Sequence, residues 1–163
     1  MLRSVSGSEG RVRAAMRGEL GGWLETPRGT VPLLLLDQFT RNVFRGTSEA
    51  FSADPLALEV ASSLIASGRD EELPWVHRAL LHLPFEHSES IHDQRRCVEL
   101  CRAAAAAAPP EWKELMTGYI QWSVGHLEVV ERFGRFPHRN EVLGCESTPE
   151  EVEYLENAER YGQ

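Results

Sequence analysis

Apolar residues recur at intervals of three and four along most of this chain, which is the spacing of amphipathic helices. One such segment begins at Asp54-Pro55, stops at Gly68 and carries four apolar residues on a single face, namely Leu56, Val60, Leu64 and Ile65. No segment shows the alternation of apolar and polar residues that is typical of a strand. The pattern therefore predicts an all-α protein of about seven helices with short connections.

Capping and breaking residues set the predicted boundaries. Thr30 and Asp54 are placed to cap helices, Pro84 should end or kink a helix at residue 83, and residues 148–151, Thr-Pro-Glu-Glu, form a capping box. From these signals the helices are expected over residues 9–24, 31–42, 54–68, 74–83, 89–108, 111–133 and 148–161.

The second predicted helix is unusual because polar residues follow directly on the four leucines of residues 33–36. Two pairs of these polar residues lie four positions apart and so form neighbouring rows on a helix: Asp37 with Arg41, and Gln38 with Asn42. A polar group that is buried without a partner costs about 1–3 kcal/mol. We therefore expect a second polar segment, residues 133–140, to face these side chains across a shared cavity.

Residues 133–140 have the sequence Phe-Gly-Arg-Phe-Pro-His-Arg-Asn, which is the densest basic segment of the chain. Arginine and histidine on a loop stiffened by proline can hold a carboxylate or phosphate. Four residues are therefore candidates for ligand binding or proton transfer: Arg135, His138, Arg139 and Asn140. Alternatively, these side chains form a structural lock by pairing with carboxylates elsewhere in the chain, namely Asp37, Glu86 and Glu89.

Histidine supplies further candidates for acid–base chemistry. His87 and Glu89 lie at the bend expected after Pro84, where a carboxylate beside an imidazole can hold its tautomer and raise its basicity. A backbone carbonyl in the bend can equally satisfy His87. His126 lies on the long helix with apolar residues on its side, so partial burial should make its protonation costly. A structural role is the alternative for His126.

No local metal motif is present, since neither His-x-x-x-His nor His-Glu-x-x-His occurs. Three cysteines form no disulfide framework, and Cys97 and Cys101 are interpreted as residues that pack in the interior or lie on a partly exposed face of a helix. We therefore predict neither a metal site nor a cofactor.

The overall composition narrows the classes of partner. With 17 basic and 25 acidic residues the net charge is −8 and the isoelectric point about 5.3, which argues against a nucleic-acid-binding protein. No apolar run approaches the about 20 residues that cross a membrane, and the chain does not open with the apolar core of a signal peptide. We expect a cytoplasmic protein with residues 1–8 frayed and residues 9–163 forming a single helical domain.

Several motifs of this chain occur in the order found in a known family. They cover residues 34–42, 51, 54–57, 83–89, 133–140, 143–144 and 147–151. On these residues the chain resembles the bacterial domain-of-unknown-function family 924 over roughly residues 19–155. The resemblance implies a tetratricopeptide-like α-α superhelix and supplies no activity.

The marked polar positions of that family fall on residues already singled out above, namely Asp37, Gln38, Arg41, Asn42, His87, Glu89, His126, Arg135, His138, Arg139 and Asn140. The chain departs from the family pattern at two of its positions, where Thr40 replaces a usual proline and Cys145 replaces a usual arginine. Any ligand contact made by that arginine would be lost or changed in this protein.

Three functional hypotheses follow from the residues and the resemblance. The first, which we favour, is a soluble helical protein with an Arg/His/Asn/Asp pocket for a small anionic ligand, acting as a binder or as an acid–base enzyme of small-molecule metabolism. The second is a helical scaffold that binds a peptide or protein and uses the polar clusters structurally. In the third, the clusters only fasten the last helices to the second one.

Overall fold

The computed structural model describes residues 3–20, 22 and 30–157, with the backbone alone for residues 3–6 and 157. Within these residues the ordered elements are helical and no strand is present. The α-helices are α1 (Arg3–Met16), α2 (Val31–Leu34), α3 (Thr40–Val43), α4 (Asp54–Ala66), α5 (Trp75–Glu86), α6 (Ile91–Ala107), α7 (Pro110–Phe133), α8 (Asn140–Leu143) and α9 (Pro149–Asn157). Short 3₁₀ helices cover Ser48–Phe51, Arg69–Glu72 and Pro137–Arg139.

The predicted all-α class is confirmed, and each of the predicted helices has a counterpart in the described chain. The first helix differs most, since α1 begins at Arg3, inside the segment predicted to be frayed, and ends at Met16. It ends there because Gly18 takes a left-handed φ of +72°, as helix-terminating glycines do. Residues 21, 23, 24 and 158–161 of the predicted helices lie outside the described residues. The tetratricopeptide-like superhelix stays a prediction.

The leucine-rich helix is continuous from α2 through a π-helical turn at Leu35–Phe39 into α3. Leu33, Leu35 and Leu36 are buried, as their run predicts. The π turn has no counterpart in the sequence-based prediction, and such turns are frequent at functional sites because they alter which side chains share a face. Asp37 lies inside this turn and is only 2% exposed, so its carboxylate requires partners.

Two predicted caps have a different role in the folded chain. Thr30 makes no side-chain cap, and its hydroxyl lies 3.1 Å from Nδ1 of His77 instead. Asp54 does not cap α4 with its side chain, because its carboxylate accepts hydrogen bonds from the guanidinium of Arg41. A charge-assisted bidentate pair is stronger than a hydrogen bond to a neutral backbone N–H, so the carboxylate of Asp54 pairs with Arg41 and not with the end of the helix.

Helix α5 continues through Pro84 to Glu86 and does not end at residue 83 as predicted. Proline removes its own N–H, and in the last turn this loss affects a single hydrogen bond. Glu86 therefore belongs to the last turn of α5, and His87 follows directly as its C-terminal cap.

The helices pack so that the end of α5 meets several other elements. Helix α6 packs along α7, and α5 packs against α4, α6 and α7. The main apolar core lies among α1, the leucine-rich helix, α4, α5 and α6. Beyond this core, the last turn of α5 and the residues after it contact α7 through His126 and the following loop through Phe136.

The predicted capping box forms at the start of α9. The N–H of Glu151 donates to Oγ1 of Thr148 at 3.2 Å, and the N–H of Thr148 donates to the Glu151 carboxylate at 2.8 Å. This buried carboxylate also accepts two bonds from Arg135, at 2.7 and 2.8 Å, and one from Asn140 at 3.3 Å. The hydrogen bonds from Arg135 lower the pKa of Glu151 to about 2. Arg135 and Asn140 thus hold α9 in place.

We predict that this lock makes stability depend on acid pH. The pKa of Glu151 is about 2 in the folded chain and about 4.3 when unfolded, so its contribution is complete above the unfolded value and is lost as the pH falls toward 2. The substitution Glu151→Gln should remove about 1.5–3 kcal/mol at pH 7 and flatten the fall between about pH 5 and pH 2. Urea unfolding across this range measures both effects. Glu153→Gln, at an exposed position on α9, is the matched control and should retain the wild-type pH profile.

Candidate functional site

A cavity of about 240 Å³ lies where the π turn, the end of α5, helix α7 and residues 136–139 meet. Its walls combine charged, polar and aromatic side chains. They are Gln38, Arg41, Phe51, Leu83, Glu86, His87, Trp122, His126, Phe136, His138 and Arg139. The two polar segments singled out in the sequence therefore border one cavity.

His87 and Asp37 form a short side-chain contact beside this cavity. Nδ1 of His87 lies 2.6 Å from Oδ1 of Asp37, while Gln38 donates to Oδ2 of the same carboxylate at 2.6 Å. Burial by itself would raise the pKa of Asp37, but the attraction of His87 and Arg41 outweighs it, and the pKa lies below its ordinary value. Asp37 is thus ionised at neutral pH, and Nδ1 of His87 donates the proton of this bond. With Nδ1 bound to Asp37, Nε2 is the ring nitrogen of His87 that remains to exchange a proton with a ligand.

Two arginines share one carboxylate beside the cavity. Arg41 donates to both oxygens of Asp54 at 2.9 Å and to the backbone carbonyl of Asp37 at 2.7 Å. Nη1 of Arg139 lies 3.5 Å from Oδ2 of Asp54. Burial raises the pKa of Asp54, while the two arginines draw it down again without cancelling the rise. Asp37 lies 3.3 Å from Arg41 and Glu89 lies 3.9 Å from Arg139, so three carboxylates surround the two arginines.

Arg139 is buried between two aromatic rings. Its guanidinium carbon is 4.6 Å from the ring centroids of both Phe51 and Phe136, and Nη2 donates to the backbone carbonyl of His87 at 3.0 Å. Its Nε is buried and finds no acceptor among the described residues. Burial lowers the pKa of Arg139 to about 10, so it remains a cation at neutral pH. The cavity is thus bordered by a buried cation.

Glu86 and the two remaining histidines of the cavity are neutral at pH 7. Burial raises the pKa of Glu86 to about 8, with Cys101 and Asp37 adding to the rise. Burial lowers the pKa of His126 to about 4 and that of His138 to about 3. Nδ1 of His126 lies 3.0 Å from the carbonyl of Trp122 and 3.5 Å from Oε1 of Glu86. The wall therefore offers a carboxylic acid and neutral imidazoles beside two guanidinium groups.

Backbone carbonyls fix the turn that carries Glu86 and His87. Gln94, which is fully buried on α6, donates its side-chain amide to the carbonyls of Glu86 and Ser88, each at 2.6 Å. The carbonyl of His87 between them accepts from Arg139. Carbonyls at a helix C-terminus lack partners within the helix, and here buried side chains satisfy them. The two side chains of this turn are therefore rigidly aimed at the cavity.

Six of the eleven predicted site residues line the cavity: Gln38, Arg41, His87, His126, His138 and Arg139. Asp37 lies behind His87 and holds it. The other four point elsewhere: Asn42 donates to the carbonyl of Gln38, Arg135 and Asn140 bind Glu151, and Glu89 accepts the backbone N–H of Phe136 at 2.9 Å. The expected pairing of His87 with Glu89 is wrong, because Asp37 takes that place.

A second cavity, of about 390 Å³, adjoins the first on the side where Glu89 lies. It shares Phe51, His87 and Arg139 with the first cavity, and Asp54 and Glu89 also border it. Glu89 lies 3.9 Å from Arg139 at Oε1, so it adds to the negative charge around that buried cation.

Six residues of the site were not among the predicted site residues: Phe51, Asp54, Leu83, Glu86, Trp122 and Phe136. Asp54 is followed by proline at the start of a helix, and this pattern is typical of a helix cap. The pattern therefore gave no indication that Asp54 pairs with arginine. Glu86 adjoins His87 in the motif of residues 83–89, and this adjacency was the available signal. Phe51, Leu83 and Phe136 lie in the motifs that carry the family resemblance, and Trp122 lies four residues before His126 on the same helix.

The described residues contain no group of three or more His, Cys, Asp or Glu side chains arranged to hold a metal ion. Cys97 and Cys101 are buried on α6, as their packing interpretation predicts, and Cys145 is exposed. Among the described helices, none is long and apolar enough to cross a membrane.

Comparisons with known proteins agree with the resemblance found in the motifs. The family model for bacterial proteins of unknown function called DUF924 matches residues 6–159. The solved structure of a protein of unknown function, ATU0120 from Agrobacterium tumefaciens, is 41% identical, with a TM-score of 0.78 over 92% of this chain and 80% of that one. A comparison with curated proteins found no match.

We predict that Gln94 is required for the turn that carries Glu86 and His87. Replacing Gln94 with leucine keeps the volume but leaves the buried carbonyls of Glu86 and Ser88 without their donor, at about 1–3 kcal/mol for each group. Chemical unfolding followed by circular dichroism measures the loss. Gln121→Leu, at an exposed position on α7, is the control and should change stability by less than about 0.5 kcal/mol. Equal stabilities of the two variants would contradict the assignment.

Proposed function

This chain belongs to the bacterial protein family DUF924, and we propose that its cavity binds a small anionic molecule on which His87 and Glu86 act as an acid–base pair. The membership itself supplies no activity. The proposal depends on the chemistry of the side chains that border the cavity.

The observation that carries the proposal is the state of Arg139. This residue is 6% exposed and yet borders the cavity together with Arg41. An anionic oxygen in the cavity would be attracted by both cations. Arginine suits this task because its planar fork stays charged and binds carboxylate or phosphate with defined geometry.

The distribution of charge supports an anion as the ligand. The arginines border the 240 Å³ cavity directly, whereas the carboxylates of Asp37 and Asp54 are absent from its lining. Glu86 is the single carboxyl group in that lining, and its raised pKa keeps it protonated at pH 7. A ligand in the cavity therefore meets cations and neutral hydrogen-bonding groups.

The size and walls of the cavity support a small molecule over a peptide. A volume of 240 Å³ lies slightly below the about 300–1,000 Å³ of pockets for drug-sized ligands. Phe51, Leu83 and Phe136 contribute apolar surface that excludes water and strengthens electrostatic attraction inside the cavity. The scaffold hypothesis requires a long groove, whereas a volume of 240 Å³ supports a compact ligand.

We predict that small carboxylates or phosphates raise the melting temperature of the protein and that Arg139 is needed for this. Arg139→Lys keeps the charge but removes Nε and the planar fork, which should weaken anion binding by about 10- to 100-fold, since a charged hydrogen bond contributes about 1.5–3 kcal/mol. Thermal shift and calorimetric titration with a panel of both anion classes measure the effect. The control is Arg132→Lys, an exposed arginine paired with Glu150 on the protein surface. A panel that stabilises neither protein would refute the proposal.

We also predict that anion affinity falls as the pH rises through about 8. Glu86 loses its proton near this pH, and a negative charge then enters the cavity wall. Glu86→Gln mimics the protonated side chain, so its affinity should stay level between pH 7 and pH 9 while that of the wild type declines. Isothermal titration at a series of pH values makes the comparison. A parallel decline in both proteins would assign the titration to another group.

A further inference from the structure

The cavity lining contains proton carriers but no nucleophilic side chain of the usual kinds. Serine, threonine, cysteine and lysine are all missing from the described residues that border it. The groups that can take part in chemistry are Glu86, the two arginines and three histidines, of which His87 is hydrogen-bonded to the ionised carboxylate of Asp37. The chemistry that these groups can perform by themselves is the movement of a proton within a bound anion.

His87 is oriented as the base. Asp37 holds Nδ1–H at 2.6 Å, which directs the Nε2 lone pair away from Asp37 and stabilises the imidazolium that forms when Nε2 takes a proton. Its main-chain carbonyl is bound by Arg139, so the residue that anchors the anion also fixes the backbone of the base. Base and anchor are therefore held at a constant separation.

Glu86 is placed to act as the acid. Glu86 is 5% exposed, and its Oε1 lies 3.5 Å from Nδ1 of His126, which is neutral at pH 7 and so does not draw off its proton. A neutral buried carboxyl group donates a hydrogen bond and can stabilise an enol or enolate oxygen. This donor needs an acceptor oxygen in the ligand, separate from the anionic group that faces Arg139.

From this arrangement we propose that the ligand is a short-chain 2-oxo acid, and that the site enolises it, with His87 removing a proton from C3 and Glu86 protonating the C2 carbonyl oxygen. The proposal rests on the proposed function, since it assumes that Arg139 and Arg41 hold the carboxylate. A 2-oxo acid places a carbonyl oxygen directly beside a carboxylate, as the acid and the anchor require. Its C3–H bond becomes acidic once that carbonyl is protonated.

The step is balanced within the site. The C3–H bond breaks and an Nε2–H bond forms, while the electron pair of C3–H becomes the C2–C3 double bond. The carbonyl π pair takes the proton of Glu86, which gives the enol, a glutamate anion and a histidinium ion. The histidinium is stabilised by Asp37, and the carboxylate of Glu86 lies in the same cavity as Arg41 and Arg139. Reversal restores the starting state, and no further reactant is needed.

Exchange of hydrogen for deuterium tests this proposal directly. The full-length protein is incubated with pyruvate or 2-oxobutyrate in D₂O, and the loss of the C3 proton signal is followed by ¹H NMR against a protein-free sample. Binding of the same probe is measured in parallel by saturation transfer. We expect His87→Gln and Glu86→Gln each to slow the catalysed exchange by about 100-fold or more, which is the usual contribution of a positioned acid or base. The control is His92→Gln, because His92 is fully on the surface beside Asp93.

The outcomes separate this proposal from the proposed function. Exchange by the wild type and by His92→Gln, with loss in the two site variants, supports enolisation. Binding of the 2-oxo acid without exchange above the protein-free rate overturns enolisation but leaves anion binding intact. Binding of other small anions but of no 2-oxo acid overturns the ligand class. If His87→Gln does not fold, Glu86→Gln still decides, because it is nearly isosteric with the protonated acid.

Discussion

The burial of Arg139 is the constraint on which the site depends. A guanidinium leaves water only when charge and hydrogen-bond partners replace its hydration. Here they come from Asp54 on α4, from the carbonyl of His87 after α5, and from two aromatic rings on separate segments. These partners lie far apart in the sequence, so the arginine can be buried only once the helices have packed. Folding and formation of the cavity are therefore one event.

Burial beside two cations also sets the proton states of the other side chains. His126 and His138 are neutral because both desolvation and the nearby arginines oppose a further positive charge. Glu86 is neutral because desolvation dominates and no arginine contacts it closely enough to reverse the effect. Asp37 stays ionised because His87 and Arg41 are adjacent. One environment thus produces a carboxylic acid that keeps its proton, at Glu86, and a carboxylate that has lost it, at Asp37.

The basic segment of residues 133–140 serves two purposes that its composition does not separate. Arg135 faces Glu151 and fastens α9, whereas Arg139, four residues later, faces the cavity. The 3₁₀ turn at Pro137–Arg139 changes the direction of the chain between them, so the two side chains do not share a face as they would on an α-helix. Arg135 and Asn140 thus form a structural lock, with Glu151 in place of the carboxylates predicted for it, while Arg139 of the same segment borders the cavity for which we propose a ligand.

The sequence by itself determined the helices, because apolar spacing, the capping box at Thr148 and the glycines at positions 68 and 134 are local signals of local structure. It also marked both polar segments that meet at the cavity, since polar residues directly after buried ones require partners. The tertiary structure alone decided which partner each one takes. Asp37 and not Glu89 binds His87, and Asp54 binds two arginines instead of capping a helix. The reason is that charge-assisted hydrogen bonds form between the groups that packing brings together, whatever their separation in the sequence.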